Sequence, residues 1–509
     1  MSAPRDFPEH EFSNHGGDSG VGDTDSSPAS GSTSASVPVG GRPTSPVRRI
    51  AAVTAAVVVA GLVAVGGAVL DVRSPVPPAP AEVTGSTLRA CPVLPQGDGS
   101  TEVMALSTSA WGTLQSRPLG SDQASDIEVG KGARILVPPA PILLQAEGRQ
   151  TQSSAGSSLA RATGAEKGTL LSRCDHPATS SWYSGVMTSG EQRAELVLTN
   201  TDSAQAQVDL KIFGRQGIVS AAGSRGLTVP GGTTRTVALD AMVNSPDPVG
   251  VEVTTTRGRI NGVVRHRTFD GVAASGSDWQ TNSTEPATSL VVPGIPSGEG
   301  ERTLTVTNPG ARRATVKVEA LGSSGTFAPA DAAEVDVNGE STASLRLDRA
   351  LAGEAVALRL TADQPIFAAT RSRAGQGAGT DIAIESADRP LAGTSVAAIA
   401  AAPGTDSELV LSSTDERDLT VDVALVDANG TELRRAQLPV RSGSTAVWKL
   451  GPVDQPAGVK VMAPRQSGIH AGVVARSNTD GYAALASSGL SVPELASAGV
   501  DPRLDPTLG

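Results

Sequence analysis

The sequence predicts an all-β protein, built as tandem antiparallel β-sandwich repeats of immunoglobulin-like type behind a single N-terminal transmembrane helix. Three observations predict it. Residues 50–70 form an uncharged run of Ala, Val, Gly and Leu broken only by Thr54. Beyond that run, apolar residues alternate with polar ones at period two, the mark of half-buried strands. The alternating blocks then recur at a spacing of roughly 105 residues, the size of one small domain.

The run 50–70 is long enough to cross the roughly 30 Å hydrocarbon core of a bilayer as a helix. Arg42, Arg48 and Arg49 precede it and should hold the N-terminus in the cytoplasm, which places everything from Asp71 onward outside the cell. Residues 1–49 are rich in Ser, Gly, Pro and Asp, too poor in large apolar side chains to offset chain entropy, and read as a disordered cytoplasmic tail. Gly17-Asp18-Ser19-Gly20 reproduces the nucleophile tetrapeptide of trypsin-like proteases, but in such a tail it has neither a rigid frame nor an oriented histidine. A cleaved signal peptide is the rival reading of the run, with Ala79-Pro80-Ala81 as the small-residue site. The length of the run, the long tail before it and the intervening Pro75, Pro77 and Pro78 favour an uncleaved anchor. Residues 71–83 then form a proline-rich stalk.

The chain is 39% hydrophobic but only 2% aromatic, so its cores must be built from Ala, Val and Leu. Scarce aromatics weaken a sugar-stacking reading, and a net charge of −11 without a basic stripe argues against nucleic acid. Arg-rich, Lys-poor usage with abundant Ala and Gly suits a high-GC bacterium. Cys91 and Cys174 are the two cysteines. An even count on the outer side of a membrane favours one disulfide, with two buried thiols as the alternative.

The repeat is clearest where each block opens. Glu195-Leu196-Val197-Leu198-Thr199-Asn200, Thr303-Leu304-Thr305-Val306-Thr307-Asn308 and Glu408-Leu409-Val410-Leu411-Ser412-Ser413 share one pattern. An alternating strand follows each: Val208, Leu210 and Ile212 on one face of the first, Val316 and Val318 on the second, and Leu419, Val421, Val423 and Leu425 on the third. Each block closes on an apolar strand ending in arginine: Ile260 to Arg265, Ile366 to Arg371, and Ile469 to Arg476. The segment from Pro141 to Arg149 looks like an earlier copy. The domains expected are a degenerate first repeat at 84–178, which holds both cysteines, further repeats at 179–286, 287–393 and 394–493, and a flexible tail at 494–509. Six or seven short strands per hundred residues with Gly, Pro and Asn turns suit sandwiches. A four-bladed propeller is the alternative, although blades of about 45 residues do not match the period.

The layout, Cys174 followed by Trp182-Tyr183 and the Leu196 to Asn200 strand, and the closing arginines resemble an uncharacterised actinobacterial family of single-pass membrane proteins with extracellular β-repeats. The resemblance spans about 84–490. It implies an envelope location and sandwich-like domains, and transfers no catalytic residue.

Few residues offer chemistry. Of the histidines, His10 and His15 lie in the tail, and His176 follows Cys174 closely without a second metal-ligand pair at finger spacing. His266 and His470 are expected at a surface or strand end. Arg265, Arg371 and Arg476 recur at the close of their repeats and form a candidate repeated polar site. Each could grip a carboxylate or phosphate through its fork, although an edge-strand charge paired with a nearby acid is the simpler reading. Asp427-Ala428-Asn429-Gly430 reads as a hairpin turn, and Gly375-Gln376-Gly377-Ala378-Gly379 as a flexible loop. No acid stands in an apolar, aromatic-framed segment that would raise its pKa. No catalytic, metal or cofactor constellation is read. The expectation is a non-enzymatic envelope scaffold or binding protein, with the membrane and envelope proteins or cell-wall glycan as partners and no nucleic acid. The alternative is an envelope glycan-processing enzyme or its accessory subunit, with two carboxylates about 5–9 Å apart in a cleft. Surface adhesion is a third reading that so few aromatics hardly support.

Overall fold

The computed structural model describes residues 84–492, apart from 96, 108–112, 128–132, 139–140, 150–153, 163–166, 401–403, 452, 454, 465 and 480–481. The expected tail, span and stalk, and the C-terminal tail, lie outside the described residues. Among the described residues no helix is long and apolar enough to cross a membrane.

The strands fall into four units. The first contains β1 (Thr84–Cys91), β2 (Gly99–Ser107), β3 (Thr113–Pro118), β4 (Ser125–Ile127), β5 (Ala133–Leu136), β6 (Ile142–Arg149), β7 (Ser154–Ala162) and β8 (Gly168–Arg173). The second contains β9 (Ser180–Val186), β10 (Gln192–Thr199), β11 (Ala206–Gly214), β12 (Gly217–Val219), β13 (Leu227–Val229), β14 (Thr234–Ala238), the one-turn helix α1 (Leu239–Met242), β15 (Val249–Arg257), β16 (Asn261–Asp270) and β17 (Ala273–Gln280). The third contains β18 (Ala287–Ile295), β19 (Glu301–Asn308), β20 (Ala314–Gly322), β21 (Gly325–Phe327), β22 (Glu334–Val337), β23 (Ser341–Arg346), β24 (Val356–Ala374) and β25 (Asp381–Ser386). The fourth contains β26 (Gly393–Ile399), β27 (Thr405–Ser413), β28 (Leu419–Asp427), β29 (Glu432–Val440), β30 (Thr445–Lys449), β31 (Ala457–Ala463), β32 (Ile469–Thr479) and β33 (Tyr482–Gly489).

Every unit pairs its strands in the same order. One sheet runs β1-β6-β3-β4, and its counterparts are β9-β15-β11-β12 and β26-β31-β28-β29; the other runs β5-β2-β7-β8, with counterparts β14-β10-β16-β17 and β30-β27-β32-β33. In the third unit the long β24 serves both sheets, pairing with β18 and β20 through its first half and with β19 and β25 through its second. All these pairings are antiparallel. The alternation seen in the sequence is buried as it should be: Leu196 and Leu198, Leu304 and Val306, and Leu409 and Leu411 all point into the cores of their own units.

The asparagine that ends the opening strand is a brace. Asn308 Nδ2 donates to the carbonyls of Arg312, Val337 and Asn338, and its Oδ1 accepts from Gly310 N. Asn200 repeats this with Ala204, Val229 and Asp202, and both side chains are fully buried. In the fourth unit Ser413 stands there instead and accepts from Asp415 N alone. Cys91 and Cys174 form a disulfide across 83 positions, and their side chains are part of the small core of the first unit.

The last strands of the units meet one another. Neighbouring contacts run β8 to β17, β17 to β25, β25 to β33 and β33 back to β8, so the four units close a ring around their own final strands. Such close approach demands small residues. A Cβ on Gly276 would stand 2.7 Å from the Asp381 Cα, and one on Gly168 would stand 2.7 Å from the Ser277 backbone. The ring seam lies between the fourth and first units. There Met104 of β2 and Leu171 join the core of the fourth unit, and Ile135 N donates to Ala428 O at 3.1 Å. The buried Arg89 of β1 fastens the same seam, its Nη1 donating to Cys174 O and Ser491 Oγ and its Nη2 to Val492 O.

Candidate functional site

Polar side chains thread the ring axis at three levels, all set on the final strands. At the first, the Asp381 carboxylate accepts from the backbone N–H of Ile382, Ser277, Leu485 and Thr169, and so touches all four units. At the second, Asp278 accepts from Leu171 N, Ile384 N and Trp279 N. At the third, Arg173 donates through Nε to Asp175 at 2.9 Å, through Nη1 to Asp388 at 2.6 Å, and through Nη2 to Asn282 O.

Burial dominates the protonation of these groups. It pushes Asp381 up to about 8 against the opposing N–H donors, and raises Asp278 well above the usual carboxylate range. Glu385, which accepts from Ser487 Oγ at 3.0 Å, is pushed up to about 8 by burial and by the Asp388 charge. For Arg173 burial opposes the charge, but Asp175, Asp388 and Glu385 outweigh it and hold the guanidinium above its ordinary pKa. A buried cation with its carboxylates within hydrogen-bond distance is a fixed electrostatic knot: breaking it strands charge in the interior.

The axis opens at the Arg173 end. A cleft of about 440 Å³ there takes residues from all four units, including Arg173 and His176, Trp182 and Asn282, Asp388, and Leu490. The exposed Glu285 and Arg389 form its rim, which continues into a neighbouring cleft of about 590 Å³ reaching Arg359 and His470. Trp182 presents a buried Nε1–H without a hydrogen-bond partner among the described residues. His176 Nδ1 lies 2.8 Å from Leu88 O, and the sulfur of Cys174 is committed to its disulfide. Asp175 and Asp388, the two carboxylates set behind that rim, both bind the same guanidinium. That arrangement suits holding a shape and a charge pattern more than moving a proton, because neither acid is poised alone.

The sequence of a family of unknown function (DUF5719) matches residues 128–451. The chain belongs to that family. The DUF5719 region contains Arg173, Asp175, Trp182, Asp278, Asn282, Asp381, Glu385 and Asp388, hence the axial knot and most of its mouth, and leaves out Arg89 and the final strand β33. No curated protein matches the sequence.

The closing arginines have a different place from the one expected. They stand on β16, β24 and β32, interior strands of their sheets, so they do not cap edges. Nor do they share one register: Arg265 lies opposite Glu195 and Arg371 opposite Thr303, but Arg476 lies opposite Asp406, with Val474 opposite Glu408. A slip of two residues keeps the same face, which is why the pattern read as one position. On that face each reaches the preceding unit: Arg265 to Asp98 at 3.2 Å, Arg371 to Gln192 at 2.9 Å and Arg476 to Ser297 at 2.9 Å. They are rivets between units. Burial, with Arg373 nearby, lowers Arg371 to about 10.

Two further expectations are corrected. His266 and His470 are both buried, His266 in the middle of β16 and His470 at the start of β32, the strand end expected of it. Burial lowers them to about 3 and about 4, and His266 Nε2 lies 2.9 Å from Gln280 Oε1. The acids with raised pKa were also unforeseen. Asp278 stands directly before Trp279, and Asp381 and Glu385 bracket Ile382-Ala383-Ile384; an acid beside such apolar runs was the available signal. The turn at Asp427 is as read, with Gly430 N donating to Asp427 O at 3.0 Å, while residues Gly377–Gly379 of the glycine segment form a 3-10 turn.

Proposed function

We propose that the chain is a membrane-anchored, extracytoplasmic binding protein or scaffold of the bacterial, actinobacterial, cell envelope, acting without catalysis. Residues 50–70 serve as the anchor, 71–83 as the stalk, and the four sandwich units, at 84–178, 179–286, 287–393 and 394–493, as the part that meets a partner. The observation that supports this best is the axial mouth. All four units contribute to it, and its innermost charges are tied to one another, so it offers a stiff surface of fixed charges and apolar walls rather than a reactive group. Its partner is an envelope protein or cell-wall glycan.

The test is crosslinking in living cells from a photoreactive residue at position 389, on the rim. The expected result is a membrane-fraction protein carrying an adduct with one envelope protein or wall fragment, lost with Trp182→Ala. A cytosolic chain without adducts would overturn the proposal. Turnover of a wall glycan by the full chain, abolished by Asp388→Asn, would favour the glycan-processing alternative, since Asp175 and Asp388 flank the same mouth.

A further inference from the structure

The junctions of the ring are not alike. At three of them the first strand of one unit lies on the outward face of the next unit's second sheet: β9 on β19 and β24, β18 on β27 and β32, and β26 on β2 and β7. Side chains seal the first of these faces. Ser184 of β9 donates to Thr305 O and lies 2.8 Å from Thr307 Oγ1.

Among the described residues the junction between the first and second units lacks this cover. β1 makes no comparable contact with β10 or β16. The turn after β1, with Pro92, Val93 and Leu94, crosses the face instead and leaves a cleft of about 400 Å³ above Val197 and Val263. The floor of the cleft is apolar. Leu94, Leu170, Val263 and Trp279 form one small buried cluster with Val197 packed against it.

Among the residues that line the cleft, Trp279 holds a neutral donor that is unaccounted for. Trp279 is 2% exposed, and its Nε1–H has no hydrogen-bond partner among the described residues. A buried donor left unmade carries a desolvation cost, which an oxygen acceptor entering the cleft would recover. Among the described residues the charges at the same end pair off, Arg265 with Asp98 and Glu195 with Arg267. The site therefore calls for no net charge in its occupant.

We infer that the cleft between the first and second units is a binding site for a small, largely apolar, uncharged molecule whose oxygen accepts a hydrogen bond from Trp279. Its size falls in the range of small-molecule sites, and its lining has their usual make-up, apolar walls with one or two placed polar groups. The site is separate from the axial mouth and does not depend on the function proposed for it.

Benzophenone tests this directly, because it has an apolar body and one carbonyl acceptor and marks its neighbours on irradiation. With the full-length chain, adducts should concentrate in residues 92–95 and 261–265. Thr236→Trp, at an exposed position on the rim, should remove them. Trp279→Phe should weaken benzophenone about 3- to 10-fold, yet leave competition by diphenylmethane, which lacks the acceptor, unchanged. Labelling spread over the surface, or labelling unaffected by Thr236→Trp, would overturn the site. An equal effect of Trp279→Phe on both compounds would overturn the hydrogen bond and with it the ligand class.

Discussion

Arg173 and Asp388 lie 215 positions apart in the chain and meet at 2.6 Å on the ring axis. The first belongs to the end of β8, the second follows β25, and the pair joins units that are not neighbours in sequence. Asp175 shares the same guanidinium at 2.9 Å, and Asn282 O caps it from the second unit. One side chain thus gathers three of the four units at the place where the axis opens.

Removing that side chain alone should be costly. Arg173→Met leaves the part-buried Asp175 and Asp388 and the buried Glu385 without their cation, and the expected loss of stability is about 3 kcal/mol. Chemical denaturation checks it. Arg173→Met combined with Asp388→Asn should be more stable than Arg173→Met alone, because one stranded charge has gone. Equal stability of the single and double variants would contradict the knot.

The buried acids and histidines set opposite slopes of stability with pH. Asp381 and Glu385 have folded pKa values of about 8 against 3.8 and 4.5 for the ordinary groups, so the folded state holds protons that the unfolded state has lost. Their contribution is full below about pH 4 and is lost as pH rises through 8. His266 and His470, lowered to about 3 and about 4 from 6.5, act the other way: their contribution is present above 6.5 and lost as pH falls through those values. The thermal midpoint should therefore peak between about pH 5 and 6.5 and fall toward pH 8.5. Glu385→Gln should flatten the alkaline fall and leave the acidic one unchanged.

The asparagine braces should matter more than the serine in the same position. Asn308→Ala leaves the carbonyls of Arg312, Val337 and Asn338 and the amide of Gly310 without that partner, and should cost about 2 kcal/mol or more. Ser413→Ala removes a single hydrogen bond, to Asp415 N, and should cost about 1 kcal/mol. Denaturation midpoints of the two variants decide it.

What the sequence made legible follows from range. Period-two burial is local, so strands such as Leu419–Asp427 could be read from their own residues. Cys91 and Cys174 were the only available pair. The ring was not legible. Its closure depends on contacts such as Arg89 with Ser491, 402 positions apart, and on glycines whose need is set by a strand from another unit. The arginine register was misread because the strand from Ile469 reaches its arginine two residues later than the strands from Ile260 and Ile366, and a two-residue slip leaves the face unchanged. The axial acids stand beside apolar residues, Trp279 and Ile382 to Ile384, but such a run does not by itself say that both faces of β17 and β25 are covered.

The four units close on themselves, and so build a common axis and mouth. The seam tests it most directly. Ile135 N donates to Ala428 O at 3.1 Å, between the first unit and the fourth. With cysteines at 135 and 428 and a short bismaleimide, a closed ring gives an intramolecular crosslink in high yield at dilute concentration, read by mass spectrometry of the joined peptides. Units strung out in a row would give none, and that result would contradict the account.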